Sequence, residues 1–282
     1  MLSAVLTLHC TDTRGIVYNV SRFIYERGGN IIDAQQHREE LDNRFFMRVH
    51  FDCSEAVARE RWRAELEVLT AAFSMQATLS FSDEIKRCAI LVSKYDHCLY
   101  DLFLRNRYGE IQADIALVLS NHDDLRSVAQ NFGVPFHHFP VTPENKTTIE
   151  HEMLALLQRE QIDFLVLARY MQIITSVLVE PYRNRIINVH HGFLPAFKGA
   201  RPYHQAYEHG VKLIGATSHY VTEDLDMGPI IEQETIPVKH SHAVADLVTM
   251  GRDVEKKVLA AAVKAHAADR LMVFRSRTIV FD

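Results

Sequence analysis

In the stretch IINVHHGFLPAFKGARPYHQAYEHG, residues 186–210, Asn188 and His190 stand two apart at the end of a short apolar run. Side chains two apart on a strand project to the same side, so an amide and an imidazole can converge there on one substrate atom. An imidazole used this way needs a carboxylate to fix and charge it. Downstream, HYVTEDLDMGPII offers Glu223, Asp224 and Asp226 in one loop, and after Asp226 the residues Met227-Gly228-Pro229 must turn the chain. An Asn–His pair alone also fits a buried structural histidine capped by the amide; the acidic loop is what tilts the pair toward chemistry. The residues that follow, His191, Gly192, Pro195, Lys198, Gly199, Arg201 and Pro202, exceed what a simple turn requires.

The elements that must hold these residues fall into two patterns. From Lys86 onward, CAILVS, ADIALVLS, PFHHFPV, DFLVLA and RIINVHH are short, mostly continuous apolar runs separated by helical stretches. That alternation predicts a mainly parallel sheet covered on both faces, with right-handed crossovers. Such Rossmann-like sheets bind ligands beyond the carboxyl ends of their strands, where Asn188 and His190 fall. ATSHYVTE and GPIIEQETIPV predict an added hairpin, and HAVADLVTMGRDVEKKVLAAAVKAHAADR a long closing helix.

The first part differs. SAVLTLHC reads as a strand, and Ile16, Val17, Val20, Phe23 and Ile24 give the one-faced periodicity of a helix. Asp12 or Thr13 is expected to cap that helix and Gly28-Gly29 to stop it. NIIDAQQHREE and RFFMRVHFDC predict a hairpin around a Leu-Asp-Asn turn, the second strand half-buried; residues 54–73 predict a helix and MQATLSFS a fourth strand. The order βαββαβ is the ferredoxin-like arrangement. It resembles an ACT domain, a small regulatory module, on that order of elements, on Asp12-x-x-Gly15-Ile16 at the strand-to-helix turn and on Gly29-Asn30-Ile31. The resemblance implies an amino-acid effector site at Asp12, Gly15, Ile16, Asn30 and Ile31; a plain structural cap at Asp12 fits the same residues. The boundary is expected at Ser82-Asp83-Glu84, giving an ACT-like domain over 1–83 and a catalytic domain over 84–282.

Residues 86–280 resemble the formyltransferase family that uses 10-formyltetrahydrofolate. The resemblance is carried by Asn188, His190, Leu194-Pro195 and Asp226. It implies that Asn188 and His190 polarise a formyl oxygen while Asp226 orients the histidine. An amide and a charged imidazole aimed at a developing oxyanion form an oxyanion hole, in which losing one donor costs on the order of 3 kcal/mol. LARYMQIIT resembles the apolar wall of the folate pocket, implicating Met171, Ile173 and Ile174. The loop Thr222, Glu223, Asp224, Leu225 resembles the one that holds the pterin.

Three acceptors fit such a site: the amine of glycinamide ribonucleotide, the amine of a charged initiator tRNA, and water. After its first strand a ribonucleotide transferase of this family carries a Gly-rich phosphate loop. Here ILVSKYDHCLYDLF has no glycine and carries Asp96, so backbone amides cannot cradle phosphate there in the usual manner. A tRNA enzyme would normally append a basic domain. The leading ACT-like module, SKYDHC and His191 in place of the transferases' usual proline resemble instead the family's deformylase branch. That branch releases formate to water, which implies formate supply for purine synthesis and balance of the one-carbon pool. A catalytically silent amino-acid sensor and a transferase for a non-phosphorylated amine remain open alternatives. The resemblance further implies methionine and glycine as candidate effectors, a homo-oligomer, and no cofactor or metal.

Composition narrows the remaining classes. Apolar residues make up 48% of 282 and charged residues 24%, a globular composition long enough for two cores. A net charge of −5 with no basic block argues against nucleic-acid partners. No apolar run reaches the roughly 18 residues of a membrane span, and the first residues read as a strand and not as a leader. Four scattered cysteines without a CxxC pair are expected as reduced thiols in the cytoplasm.

Overall fold

The computed structural model describes residues 2–53, 58–196 and 201–282. The chain divides into two compact units: residues 1–85 with Asp269–Met272 and Ile279–Asp282, and Lys86–Ala268 with Val273–Thr278. The expected boundary at residues 82–84 lies just before this division, whereas the expected second domain ran unbroken to 282.

The first unit contains β1 (Ser3–Thr11), α1 (Ile16–Tyr25), β2 (Asn30–Glu39), β3 (Arg44–Asp52), α2 (Arg59–Phe73) and β4 (Gln76–Phe81). They form a four-stranded antiparallel sheet in the order β2-β3-β1-β4, the ferredoxin-like topology that the element order implied. Its core joins alternate residues of β1 and β3 to Val20, Phe23 and Ile24 of α1 and to Trp62 and Leu66 of α2. Residues 54–57, where α2 was expected to begin, lie outside the described residues.

Two local expectations fail here. Neither Asp12 nor Thr13 caps α1: its N-cap is Gly15 at φ 91°, with no side-chain cap, and Asp12 pairs with Arg38 at 2.8 Å instead. A guanidinium across the strands has taken the carboxylate that local capping would have used. Strand β3 is also buried on both faces where a half-buried pattern was expected, Phe46 and Arg48 included. The cause is the end of the chain. Arg48 donates to the Asp269 carbonyl at 3.0 Å, and Gln35 of β2 exchanges bonds with the backbone of Asp282 at 2.8 and 2.9 Å.

The second unit opens with β5 (Arg87–Val92), α3 (His97–Arg107), β6 (Asp114–Ser120), α4 (Arg126–Asn131), β7 (Phe136–His138), α5 (Lys146–Arg159), β8 (Phe164–Leu167), α6 (Ser176–Val179) and β9 (Ile186–His190). It continues with α7 (Pro202–Glu208), β10 (Leu213–Tyr220), β11 (Ile230–Pro237) and α8 (Val244–Ala267). The chain ends in a hairpin, β12 (Leu271–Phe274) and β13 (Arg277–Val280), which the pattern did not announce.

The large sheet runs β11-β10-β9-β8-β5-β6-β7, parallel from β9 to β7 and antiparallel at β10 and β11. The chain builds outward from β5 on one side and returns to build on the other. The carboxyl ends of β5 and β8 therefore flank a switch point, the place where an open sheet leaves a crevice. Ser93 ties that end together: its hydroxyl donates to Asn121 at 2.6 Å and accepts the Met171 amide at 2.9 Å.

Candidate active site

The crevice is a cavity of about 530 Å³. Its walls include Asn188, His190 and Asp226, together with Met171, Ile173, Ile174, Thr222, Glu223, Asp224 and Leu225. Every catalytic and folate-pocket residue expected from the sequence thus faces one space. The expected effector residues Asp12, Gly15, Ile16, Asn30 and Ile31 belong to the first unit and line no part of it. Lys198 and Gly199 of the loop after the paired histidines lie outside the described residues.

Local structure explains how the site is held. Asn188 and His190 end β9, which β10 pairs in the register Thr217↔His190 and His219↔Asn188. Thr217 then fixes the turn that follows: its hydroxyl donates to the Gly192 carbonyl at 2.9 Å and accepts the Leu194 amide at 3.0 Å. Gln233 of β11 donates to Thr217 at 3.0 Å and to the Leu194 carbonyl at 2.9 Å. The Leu194–Pro195 peptide is cis.

The Asp226 loop is pinned from its other side. A Cβ on Gly228 would lie 1.7 Å from the Tyr220 carbonyl oxygen, so only glycine lets the chain cross there. Asp226 itself has φ 56°, a left-handed conformation that aspartate tolerates better than most residues.

Asp226 Oδ2 lies 3.2 Å from His190 Nδ1, with both side chains almost fully buried. Burial alone would push this carboxyl up. Hydrogen bonds and charge from His190 and His219 more than offset that, and hold it below the usual carboxylate range. The carboxylate therefore keeps His190 Nδ1 as a donor.

His219 is a site residue that the sequence did not reveal. Its Nδ1 lies 2.9 Å from the Tyr220 carbonyl oxygen, which can only accept, so Nδ1 carries a proton. Its Nε2 lies 3.2 Å from Asn188 Nδ2 and 3.6 Å from Asp226 Oδ1. A neutral ring accepts from the Asn188 amide; a charged ring donates to Asp226.

The segment expected to wall the folate is anchored by Glu150 of α5. Its carboxylate accepts the Thr175 amide at 3.1 Å and also takes the Thr175 hydroxyl, and Thr175 caps α6. Met171, Ile173 and Leu225 each remain more than half exposed and form an apolar rim.

The other end of the cavity is polar. Its centre is Glu255 of α8, buried, accepting from His97 Nε2 at 2.8 Å and Tyr203 Oη at 2.7 Å, with Arg169 Nε at 3.5 Å. His191 bridges the two ends, its ring centroid 5.5 Å from His190 and 5.9 Å from Tyr203. Burial, with the Arg169 charge, pushes the His191 imidazole down to about 3. It is neutral at physiological pH and so supplies no charged imidazole of its own.

A formyl transferase model matches residues 86–263, the segment that carries the cavity. A formyltetrahydrofolate deformylase of Synechocystis is 47% identical over 99% of both chains. The solved formyltetrahydrofolate deformylase of Pseudomonas syringae is 43% identical, with a TM-score of 0.97 over all of this chain and 95% of that one. Glycinamide ribonucleotide transformylase 1 of Symbiobacterium toebii is 31% identical, with a TM-score of 0.68 over 73% of this chain and 98% of its own. Within the formyl transferases, the chain belongs to the formyltetrahydrofolate deformylase family.

Proposed function

We propose that this chain hydrolyses 10-formyltetrahydrofolate to formate and tetrahydrofolate, with Asn188, His190 and Asp226 as the catalytic residues. The observation that carries the roles is the 3.2 Å pairing of His190 with Asp226 beside the Asn188 amide, at the inner end of an apolar-rimmed cavity. Near-full-length likeness to deformylases supports water as the acceptor, while the transformylase likeness covers only 73% of this chain.

The flat rings of the folate lie along Met171, Ile173, Ile174 and Leu225, with the pterin in the Thr222–Leu225 loop. That places the formyl carbon at Asn188 and His190. Water attacks the carbon, and the carbonyl pair moves onto oxygen, where the Asn188 amide and the His190 Nε2–H receive it. Asp226 holds the imidazolium and takes up the proton that the water gives. Collapse breaks the C–N10 bond; N10 gains a proton, and formate leaves. Burial makes each donor worth more than it would be in water. No step in this route needs a metal or cofactor. Incubation with 10-formyltetrahydrofolate alone tests the assignment: formate release without an added amine supports it, and turnover only with an amine opposes it.

The first unit serves in this reading as an amino-acid-sensing module that also joins subunits into a homo-oligomer. The ferredoxin-like sheet and the Gly15 turn support that role. Asn30 is exposed and free to meet an effector, whereas Asp12 is engaged with Arg38. Methionine and glycine are the effectors to test. The four cysteines, all buried free thiols, suit a reducing cytoplasm. Among the described residues no helix is long and apolar enough to cross a membrane.

A further inference from the structure

The polar end of the cavity is built at visible cost. Arg169 has φ 63°, a left-handed backbone in which glycine would be unstrained and arginine is not. Its side chain is nine-tenths buried, yet among the described residues Nε and Nη1 have no hydrogen-bond partner. Unmet buried donors are costly to keep. The guanidinium is held over the Tyr95 ring at 4.9 Å and against Glu255 at 3.5 Å.

Tyr203, the next member, fits only because residue 251 lacks a side chain. A Cβ there would fall 2.0 Å from its hydroxyl. Three segments, the start of α3, the turn after β8 and α7, thus converge on one carboxylate of α8 that none of the proposed chemistry uses.

The folate rings need the apolar end and the formyl group sits at His190. A second substrate carrying an amine would have to enter from the end that Arg169, Tyr203 and Glu255 occupy. We propose that these three residues determine the acceptor: they close the polar end of the cavity to amines and leave water as the only nucleophile that fits. This inference rests on the hydrolytic reading above.

Charge excludes an amine as well as space does. An amine arrives largely as an ammonium ion and must lose a proton before it can attack. The fixed guanidinium repels the cation, and Glu255 has its oxygens committed to His97, Tyr203 and Arg169, so it accepts no proton from a newcomer. Burial of the hub also keeps these contacts strong. Water needs neither the room nor a base at that end.

The test is product partition. Wild-type enzyme and Arg169→Gly, the substitution that relieves the backbone, are each given 10-formyltetrahydrofolate with glycinamide as the amine probe. Formate and N-formylglycinamide are quantified separately. The ratio of the two products does not depend on how much of each preparation is active, so a merely structural loss leaves it unmoved. The expected result is formate with no detectable N-formylglycinamide from wild type, and N-formylglycinamide at least about tenfold above the detection limit from the variant. A folded, active Arg169→Gly that still yields formate alone overturns the proposal, as does wild type that formylates glycinamide. Should Arg169→Gly not fold, Arg169→Asn carries the same test with the same two outcomes, since asparagine tolerates the left-handed backbone and lacks the charge. Wild type that consumes no substrate with or without glycinamide strikes the hydrolytic reading itself, and this inference with it.

Discussion

His219 lies directly opposite Asn188 across the β9–β10 pairing, and its Nε2 is 3.2 Å from the Asn188 amide nitrogen. The imidazole is held in turn by the Tyr220 carbonyl. The amide that is to meet the oxyanion is therefore oriented from a neighbouring strand. His219→Ala is expected to lower kcat by about tenfold with little change in KM, because a loosened donor is felt mainly in the transition state. Steady-state kinetics decide it: an unchanged kcat would mean that Asn188 needs no such support.

For the proposed catalytic residues, Asn188→Ala and His190→Ala are each expected to lose about a hundredfold or more in kcat. A rise in KM alone for either would make it a binding residue and remove it from the oxyanion hole.

Asp226→Asn keeps the shape of the turn without the charge. It should fold normally, lose about a hundredfold or more in kcat/KM and leave His190 without its partner. Activity within about threefold of wild type would take Asp226 out of the mechanism.

Acid stability follows from His191 and His266, both partly buried and held to about 3 by desolvation of the ring. In the unfolded chain each has its ordinary value of 6.5. The unfolded state then binds protons that the folded state refuses, so stability is full above that value and falls as pH drops toward 3. Asp226 and Glu255, whose carboxyls are also depressed, add a loss at lower pH. Thermal unfolding followed from neutral pH down to about pH 5 isolates the histidines. His191→Asn should flatten that slope; an unchanged slope would contradict the neutral assignment.

Among the described residues His97, Cys98 and Glu255 could place three ligand atoms within 4.8 Å of one another. Glu255 is saturated by its donors, and burial, first of all, keeps the Cys98 thiol well above its usual range. Prolonged chelation should leave formate release intact. Loss of activity that zinc or iron restores would show the opposite.

Much of this was legible in the sequence because it is periodic or local. Continuous apolar runs marked the parallel strands, and two-residue spacing put Asn188 and His190 on one side of β9. What escaped depends on register or on rare backbone. His219 meets Asn188 only through strand pairing, and nothing in ATSHYVTE marks it. Glu255 left a signal, since it falls on the buried face of α8 with Gly251, Val254, Val258 and Leu259. A charge in VEKKVL nonetheless reads as solvated. The left-handed backbone of Arg169 has no signature in residue type. Asp12 was misplaced because a long-range ion pair outcompeted a local cap.

In the proposed reaction water takes the formyl group at Asn188, His190 and Asp226. A single turnover of 10-formyltetrahydrofolate in ¹⁸O-labelled water, without any amine, is the sharpest test. The expected product is formate with one labelled oxygen, formed together with an equal amount of tetrahydrofolate, and none of it from Asp226→Asn in the same time. Unlabelled formate, or no formate until an amine is supplied, would contradict it.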